Sequence, residues 1–442
     1  MTSTAVKATT KRASDDTIRA TALAAKAAGG KLARLGPERR SVLLRALADA
    51  LRETEVRATV FAANALDLER AKSEGVAAPL VKRLGLDAAK LDSVCDGLDQ
   101  LAAMPDLVGH PTLRRELDDG LVLERVSCPL GLLGVVFESR PDALVQIVGL
   151  AWKSGNAVLL KGGREALQTN RALTAVIAGV LEAAGIDRRA AVLLEGREEV
   201  AAILGLHGIV EMIVARGSSE FVRQIQAASE IPVMGHAAGV CHLYVHAGAD
   251  PTMAAQLAVD GKTTYAAACN ATETLLWDAD AGAALDACVE ALGKAGVEMR
   301  ADAATRKRHP ALKAATDADF GLEFGANIIA IKRVDGLDDA LAHIAQHGSR
   351  HTEAIATADA AAAERFLAEV DAAGVFHNAS TRFADGYRYG LGAEVGISTD
   401  KLHARGPVGV DGLLTYRWLL RGAGQLTADY GPGKRAFRHR DL

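Results

Sequence analysis

Cys269 lies in the run YAAACNATE, residues 265–273, and its neighbours are what give it chemical promise. Small side chains lead up to the sulfur, an amide follows, and an apolar strand-like stretch, residues 274–277, comes directly after. Such a run suits a thiol held on a tight loop between a helix and a strand. The small residues let a carbonyl approach, and the backbone N–H groups of Cys269 and Asn270 can face an oxygen that gains charge. Cys95, Cys128, Cys241 and Cys288 have no comparable setting and read as ordinary buried thiols.

The elements that must position this loop alternate between strand and helix. Residues 158–160, 191–194 and 212–215 are short apolar strands, and residues 165–184 and 198–204 are helical, the first closed by Gly185. That alternation argues for a parallel sheet with helical crossovers and a nucleotide lying across the strands' carboxyl ends. Lys161 follows one strand directly. Arg216, Gly217, Ser218 and Ser219 follow another and open a helix, where free N–H groups suit a diphosphate. Ser218 and Ser219 suit plain N-capping equally well. A second alternation starts near Gly261, with strand 274–277, helix 284–296, a strand-rich run at 324–331 and strand 375–378. The loop 390–399 follows it.

Ahead of these, residues 15–104 are helical and alanine-rich, with Leu43, Leu44, Leu47 and Leu51 near the 3.6-residue period. Residues 1–12 carry no acid and read as a solvated tail. In residues 115–126, RELDDGLVLERV, an Asp-Gly pair between two extended runs predicts a hairpin.

Composition narrows the function. The chain has 442 residues, 49% hydrophobic and 24% charged, with a net charge of −4. Two or three domains are expected, and the small, dispersed charge gives no footprint for nucleic acid. No apolar run approaches a membrane span or a secretory leader, so a cytoplasmic protein is expected. Five cysteines without a CxxC pair favour neither disulfides nor zinc. Gly261-Lys262-Thr263 lacks the earlier glycine of a phosphate-binding P-loop, because position 256 is Gln256. Gly390, Gly392 and Gly396 have the wrong spacing for a dinucleotide fingerprint and read as backbone freedom near substrate. His236, Cys241 and His242 lack metal-site spacing, so no metal is expected.

Seven blocks, in order, resemble the γ-glutamyl phosphate reductases, or glutamate-5-semialdehyde dehydrogenases, of the aldehyde dehydrogenase superfamily. They are residues 128–147, 154–166, 214–225, 235–245, 265–276, 376–399 and 401–418. Together they span most of the chain from about Leu113 onward. Residues 413–442 look more like the reductase half of the fused plant and animal pyrroline-5-carboxylate synthase.

The resemblance implies an α/β, aldehyde dehydrogenase-like fold with two Rossmann-like parallel-sheet domains and an oligomerisation hairpin. Residues 1–260 would bind cofactor and carry the hairpin at 115–126, which a plain surface hairpin would fit as well. Residues 261–412 would form the catalytic domain, and residues 413–442 would return to the first. The implied reaction is NADPH-dependent reduction of γ-glutamyl phosphate to glutamate 5-semialdehyde and phosphate through a Cys269 thioester, a step of proline biosynthesis. Ser139, Arg140, Lys161, Gly162, Gly163, Arg164, Arg216, Gly217, Ser218, Ser219 and Glu323 would serve the cofactor. Glu323 matches the position that binds the nicotinamide ribose, or it is an exposed turn residue. Arg164 stands where NAD-preferring relatives carry a glutamate, which points to NADPH; otherwise it faces solvent. Ser380, Thr381 and Arg382 would take the substrate's α-carboxylate, unless Arg382 forms an internal ion pair. At the position of the hydrolytic relatives' base the chain reads Gly235-His236, so water activation is not expected. The alternatives are a hydrolytic aldehyde dehydrogenase and an inactive scaffold. A homo-oligomer is expected, as is a separate glutamate 5-kinase that supplies the labile acyl phosphate.

Overall fold

The structure, a computed structural model, describes residues 2–442 except Ser139, Arg197, Ala237 and Leu402. Side chains are described from Asp16 onward, apart from that of Pro79. Five helices come first: Thr2–Leu32, Pro37–Arg52, Thr54–Ser73, Ala78–Leu84 and Ala88–Ala103. The leucine stripe at 43, 44, 47 and 51 is wholly buried and packs with Leu91, Val94, Leu98 and Trp152 in one apolar cluster. The opening residues, expected as a solvated tail, continue the first helix back to Thr2. Their alanine, lysine and threonine run contains neither glycine nor proline to stop it.

The first parallel sheet has strand order Ala191–Leu193, Ala157–Lys161, Leu132–Phe137, Met212–Arg216, Val233–Met234. Its central strands read LLGVVF and AVLLK and are buried at every position, as a sheet covered by helices on both faces requires. The second sheet, also parallel throughout, runs Lys313–Ala314, Glu298–Ala301, Ile328–Val334, Thr272–Asp278, Cys241–Val245, Thr352–Ala356, Gly374–His377. The chain therefore changes sheets between Met234 and Cys241, ahead of the expected division at 260/261. Strand Cys241–Val245 is as fully buried as the central strands of the first sheet, so its length and spacing carried no mark of which sheet it joins.

The hairpin pairs Pro111–Asp118 with Leu121–Pro129, turning at Gly120 with φ +67°. The C-terminal strand Leu414–Arg421 extends it along all of its length, and Arg440–Asp441 closes the opposite edge. The hydroxyl of Tyr430 donates to Asp118 Oδ2 at 3.0 Å and helps tie the tail down.

Candidate active site

The loop that carries Cys269, residues 264–271, joins helix Pro251–Thr263 to strand Thr272–Asp278. Ala268 N–H donates to Tyr265 O at 3.1 Å and Ala271 N–H to Ala268 O at 2.9 Å, which curls the loop. The Asn270 side-chain amide donates to Ala384 O at 2.8 Å. Beneath the loop, Lys262 at the helix end and Glu273 on the strand form a 2.6 Å ion pair, both side chains wholly buried. Burial raises the Glu273 carboxyl, and the ammonium and the Phe324 N–H oppose that rise. Removing one partner would leave a buried charge unpaired, at a cost of about 3–5 kcal/mol. Gly239 presses on the loop from the other side. A Cβ there would lie 1.9 Å from Cys269 O, so only glycine lets the two backbones meet. The Gly239 N–H is held in turn by Glu323 Oε2 at 2.9 Å.

Above the loop opens a cleft of about 480 Å³ between the carboxyl ends of the first sheet and the amino ends of the second. Of the residues singled out from the sequence, Arg140, Arg216, Gly217, Ser218, Ser219, Cys269, Asn270, Glu323 and Arg382 all line it. Burial pushes the Cys269 thiol up to about 12, Glu394 and Glu323 add to the rise, and Arg382 and the residue's own N–H oppose it. The resting group is therefore the thiol, and attack needs a proton acceptor. His236 stands close by: one ring nitrogen each of His236 and His351 and the Cys269 Sγ all lie within 4.8 Å of one another. Burial lowers His236 below the usual imidazole range, although a 3.1 Å contact between Nδ1 and Ile397 O works the other way. His351 is pushed down to about 3 by burial. Both rings are neutral at pH 7. Two guanidinium nitrogens, Arg216 Nη1 and Arg382 Nε, are buried without a hydrogen-bond partner. Neither arginine enters an ion pair among the described residues.

The remaining sequence candidates lie elsewhere or are engaged. Ser139 lies outside the described residues. Lys161 is buried, its pKa lowered by that burial, and its ammonium donates to Gly162 O at 2.7 Å, away from the thiol cleft. Gly162 and Gly163, expected to serve the cofactor, face side chains rather than open space. A Cβ at Gly162 would lie 2.2 Å from Asn170 Nδ2, and one at Gly163 would lie 2.1 Å from Glu165 Oε1. Arg164 is exposed. Ser218 caps its helix through a 3.4 Å bond from Phe221 N–H, while its own N–H goes to Glu138 Oε2 at 2.9 Å. Ser380 Oγ accepts from Arg382 N–H at 3.3 Å, and the Thr381 hydroxyl pairs with that of Thr272 at 3.1 Å. Of the three, Arg382 alone lines the cleft. His236, Cys241 and His242 do not assemble: Cys241 and His242 sit in a buried strand, with His242 Nδ1 2.8 Å from Glu353 Oε2.

Sequence reasoning missed Glu138 and Glu394. Both lie in segments already singled out, residues 128–147 and 376–399, yet neither was chosen. Glu394 accepts from Gly386 N–H at 2.9 Å, and burial raises its carboxyl. The site holds two carboxylates near the thiol, Glu323, which the sequence had singled out, and Glu394, which it had not. They arrive from distant loops rather than from the segment around His236.

The sequence model of the aldehyde dehydrogenase family matches residues 2–308. A γ-glutamyl phosphate reductase from Synechococcus sp. (strain JA-3-3Ab) is 54% identical over 436 residues, 97% of this chain and 95% of the relative. Another from Parasynechococcus marenigrum (strain WH8102) is 54% identical, covering 92% of this chain and 93% of the relative. Among solved structures, the γ-glutamyl phosphate reductase of Thermotoga maritima matches with a TM-score of 0.90 at 34% identity, covering 92% of this chain and 99% of that one. An engineered glycolyl-CoA reductase with bound NADP+ shares the fold, with a TM-score of 0.65 at 17% identity, covering 91% and 96%.

Proposed function

The chain belongs to the aldehyde dehydrogenase family, among the γ-glutamyl phosphate reductases, and from that premise we infer that its cleft turns γ-glutamyl phosphate into glutamate 5-semialdehyde and phosphate. The observation that carries this reading is the pairing, in one cleft, of a loop-held thiol with two unpartnered guanidinium groups, Arg216 and Arg382. The substrate brings a phosphate at one end and an α-carboxylate at the other, each suited to a charge-assisted bond from a planar fork.

His236 takes the Cys269 proton as sulfur attacks the γ-carbonyl. The Asn270 side-chain N–H₂ gives one of its two N–H groups to Ala384 O, which fixes the amide, and the backbone N–H groups of Cys269 and Asn270 receive the developing oxyanion. Neither of these donates to another residue's backbone carbonyl among the described residues. The C–O bond to phosphate then breaks, leaving a thioester on Cys269. The nicotinamide cofactor, when bound, supplies the hydride. Collapse of the resulting thiohemiacetal expels the thiolate, which recovers its proton from the His236 imidazolium.

The first sheet's cleft edge fits a nicotinamide dinucleotide. Helix Ser219–Ala228 points its N-terminus into the cleft, and Arg140 adds a cation, while Glu138 holds one N–H there. We assign NADPH in preference to NADH on the exposed Arg164 beside buried Lys161.

A second copy of the chain is the proposed partner for edge strand Leu414–Arg421, which exposes Tyr416, Trp418 and Leu420 in alternation. A monomer by light scattering would remove that assignment. No helix is long and apolar enough to cross a membrane among the described residues. The proposed setting is the cytoplasm, with a glutamate 5-kinase supplying the short-lived acyl phosphate. The decisive assay is the reverse reaction: NADP+ reduction with glutamate 5-semialdehyde, expected to depend on added phosphate. Full activity without phosphate, with free glutamate accumulating, would favour the hydrolytic reading, in which Glu323 or Glu394 activates water.

A further inference from the structure

We propose that Cys269, His236 and His351 form a reversible inhibitory site for a borderline-soft divalent cation, Zn²⁺ above all. A thiolate and two imidazoles are a ligand set that zinc prefers, and three protein ligands leave a fourth position for water. One ligand atom from each residue lies within 4.8 Å of the others. Zinc bonds of about 2.0–2.3 Å set tetrahedral ligand atoms about 3.5 Å apart, so closure takes side-chain shifts of about an ångström.

A second observation points the same way. His351 is 1% exposed and its Nδ1 pairs with Thr352 Oγ1 at 2.9 Å, yet its Nε2 meets no hydrogen-bond partner. The proposed reaction uses Cys269 and His236 but gives His351 nothing to do. An unpaired nitrogen on a buried ring is costly unless something takes its lone pair or its proton. The rings of His236 and His351 meet edge to face with centroids 5.2 Å apart, so one nitrogen of each can converge on a common point beside the sulfur. His236 and Cys269 both line the cleft, which gives the ion its entry path, and Glu323 lines the same space with compensating negative charge.

Binding replaces the S–H bond with an S–Zn bond and releases one proton to solvent, with no change of oxidation state. A metal-bound sulfur cannot attack the acyl phosphate, so occupancy turns the enzyme off. Removing the ion restores it.

The test titrates the reduced, chelator-treated full-length enzyme with ZnCl₂ and separately with CoCl₂. Zinc should bind at about one ion per chain, abolish turnover in proportion, and be reversed by chelator. Cobalt should give the near-ultraviolet sulfur-to-metal charge-transfer band, and Cys269→Ala should lose it. His351→Ala, compared with its own zinc-free rate, should need at least tenfold more zinc for half inhibition. If that variant does not fold, the wild-type cobalt spectrum decides alone. Zinc sensitivity unchanged in a folded His351→Ala, cobalt bound without the charge-transfer band, or inhibition that survives chelation would each overturn the proposal.

Discussion

The two parallel sheets face the cleft with opposite ends. The first offers carboxyl ends: Phe137 leads to Arg140, Arg216 to Ser218 and Met234 to His236. Its rim is open, with an exposed arginine, a helix N-terminus and a serine cap, the features that hold a mobile anion by backbone N–H and charge. The second offers amino ends: Gly239 precedes Cys241–Val245, Cys269 precedes Thr272–Asp278, Glu323 precedes Ile328–Val334 and His351 precedes Thr352–Ala356. Here the backbone is clamped by the buried Lys262–Glu273 pair, by Gly239 against Cys269, and by Glu323 on the Gly239 N–H. One rim is built to bind and release, the other to keep a sulfur in place. Damage to the second should therefore appear in kcat, and damage to the first in cofactor affinity.

The sharpest break is Cys269→Ala. Turnover should fall by at least ~10⁴-fold while NADPH still binds, because the proposed function places the nucleophile on the second rim and the cofactor on the first. Retained turnover in steady-state assays would end the covalent mechanism.

His236 belongs to the first rim by chain but serves the second by chemistry, and pH separates those roles. The thiol near 12 is protonated throughout the working range, while burial holds His236 below the ordinary imidazole value. With His236 as base, kcat/KM should stay flat from about pH 7 to 9. It should fall as acid protonates the ring below its lowered pKa. His236→Ala should be ~10²-fold slower at pH 7 and climb about tenfold per pH unit, since free thiolate then limits the rate. A wild-type profile that itself climbs this way would discard the imidazole.

Gly239→Ala tests the clamp without touching a reactive group. A methyl 1.9 Å from Cys269 O must displace the loop. A shift of about an ångström should cost ~10² in kcat. NADPH affinity measured by fluorescence titration should barely change; an equal loss in both would mean the two rims are not separable.

The sequence revealed these rims unevenly. The loop around Cys269 could be read as a helix-to-strand turn because its signal is local, in small residues, one thiol, one amide and a strand. The hairpin could be read because Asp-Gly sets its turn. Strand Cys241–Val245 fell inside the expected 1–260 domain but pairs in the second sheet, because a buried parallel strand looks alike in either sheet. Gly239, Glu394 and His351 act through contacts made only when distant segments meet: Gly239 touches Cys269 across 30 residues, and His351 lies 82 beyond it, as their numbers give. Ser380 and Thr381 show the reverse case: their hydroxyls suit a carboxylate, but one caps a short helix and the other meets a neighbouring strand, and neither lines the cleft.

The smallest expected effect lies farthest from the sulfur. Arg164 is exposed at the end of the Gly162-Gly163 turn, beside buried Lys161. A 2′-phosphate near it would gain a charge-assisted bond worth about 1.5–3 kcal/mol. Two facts oppose the full value: an exposed cation is screened by water, and the Glu165 carboxylate lies against Gly163 close by. Arg164→Glu should thus weaken NADPH by roughly tenfold, the low end of that range, and leave NADH within about twofold. Because only the first rim is altered, kcat at saturating NADPH should hold. Equal weakening of both cofactors would mean that Arg164 merely shapes the turn, and the assignment of NADPH over NADH would fall with it.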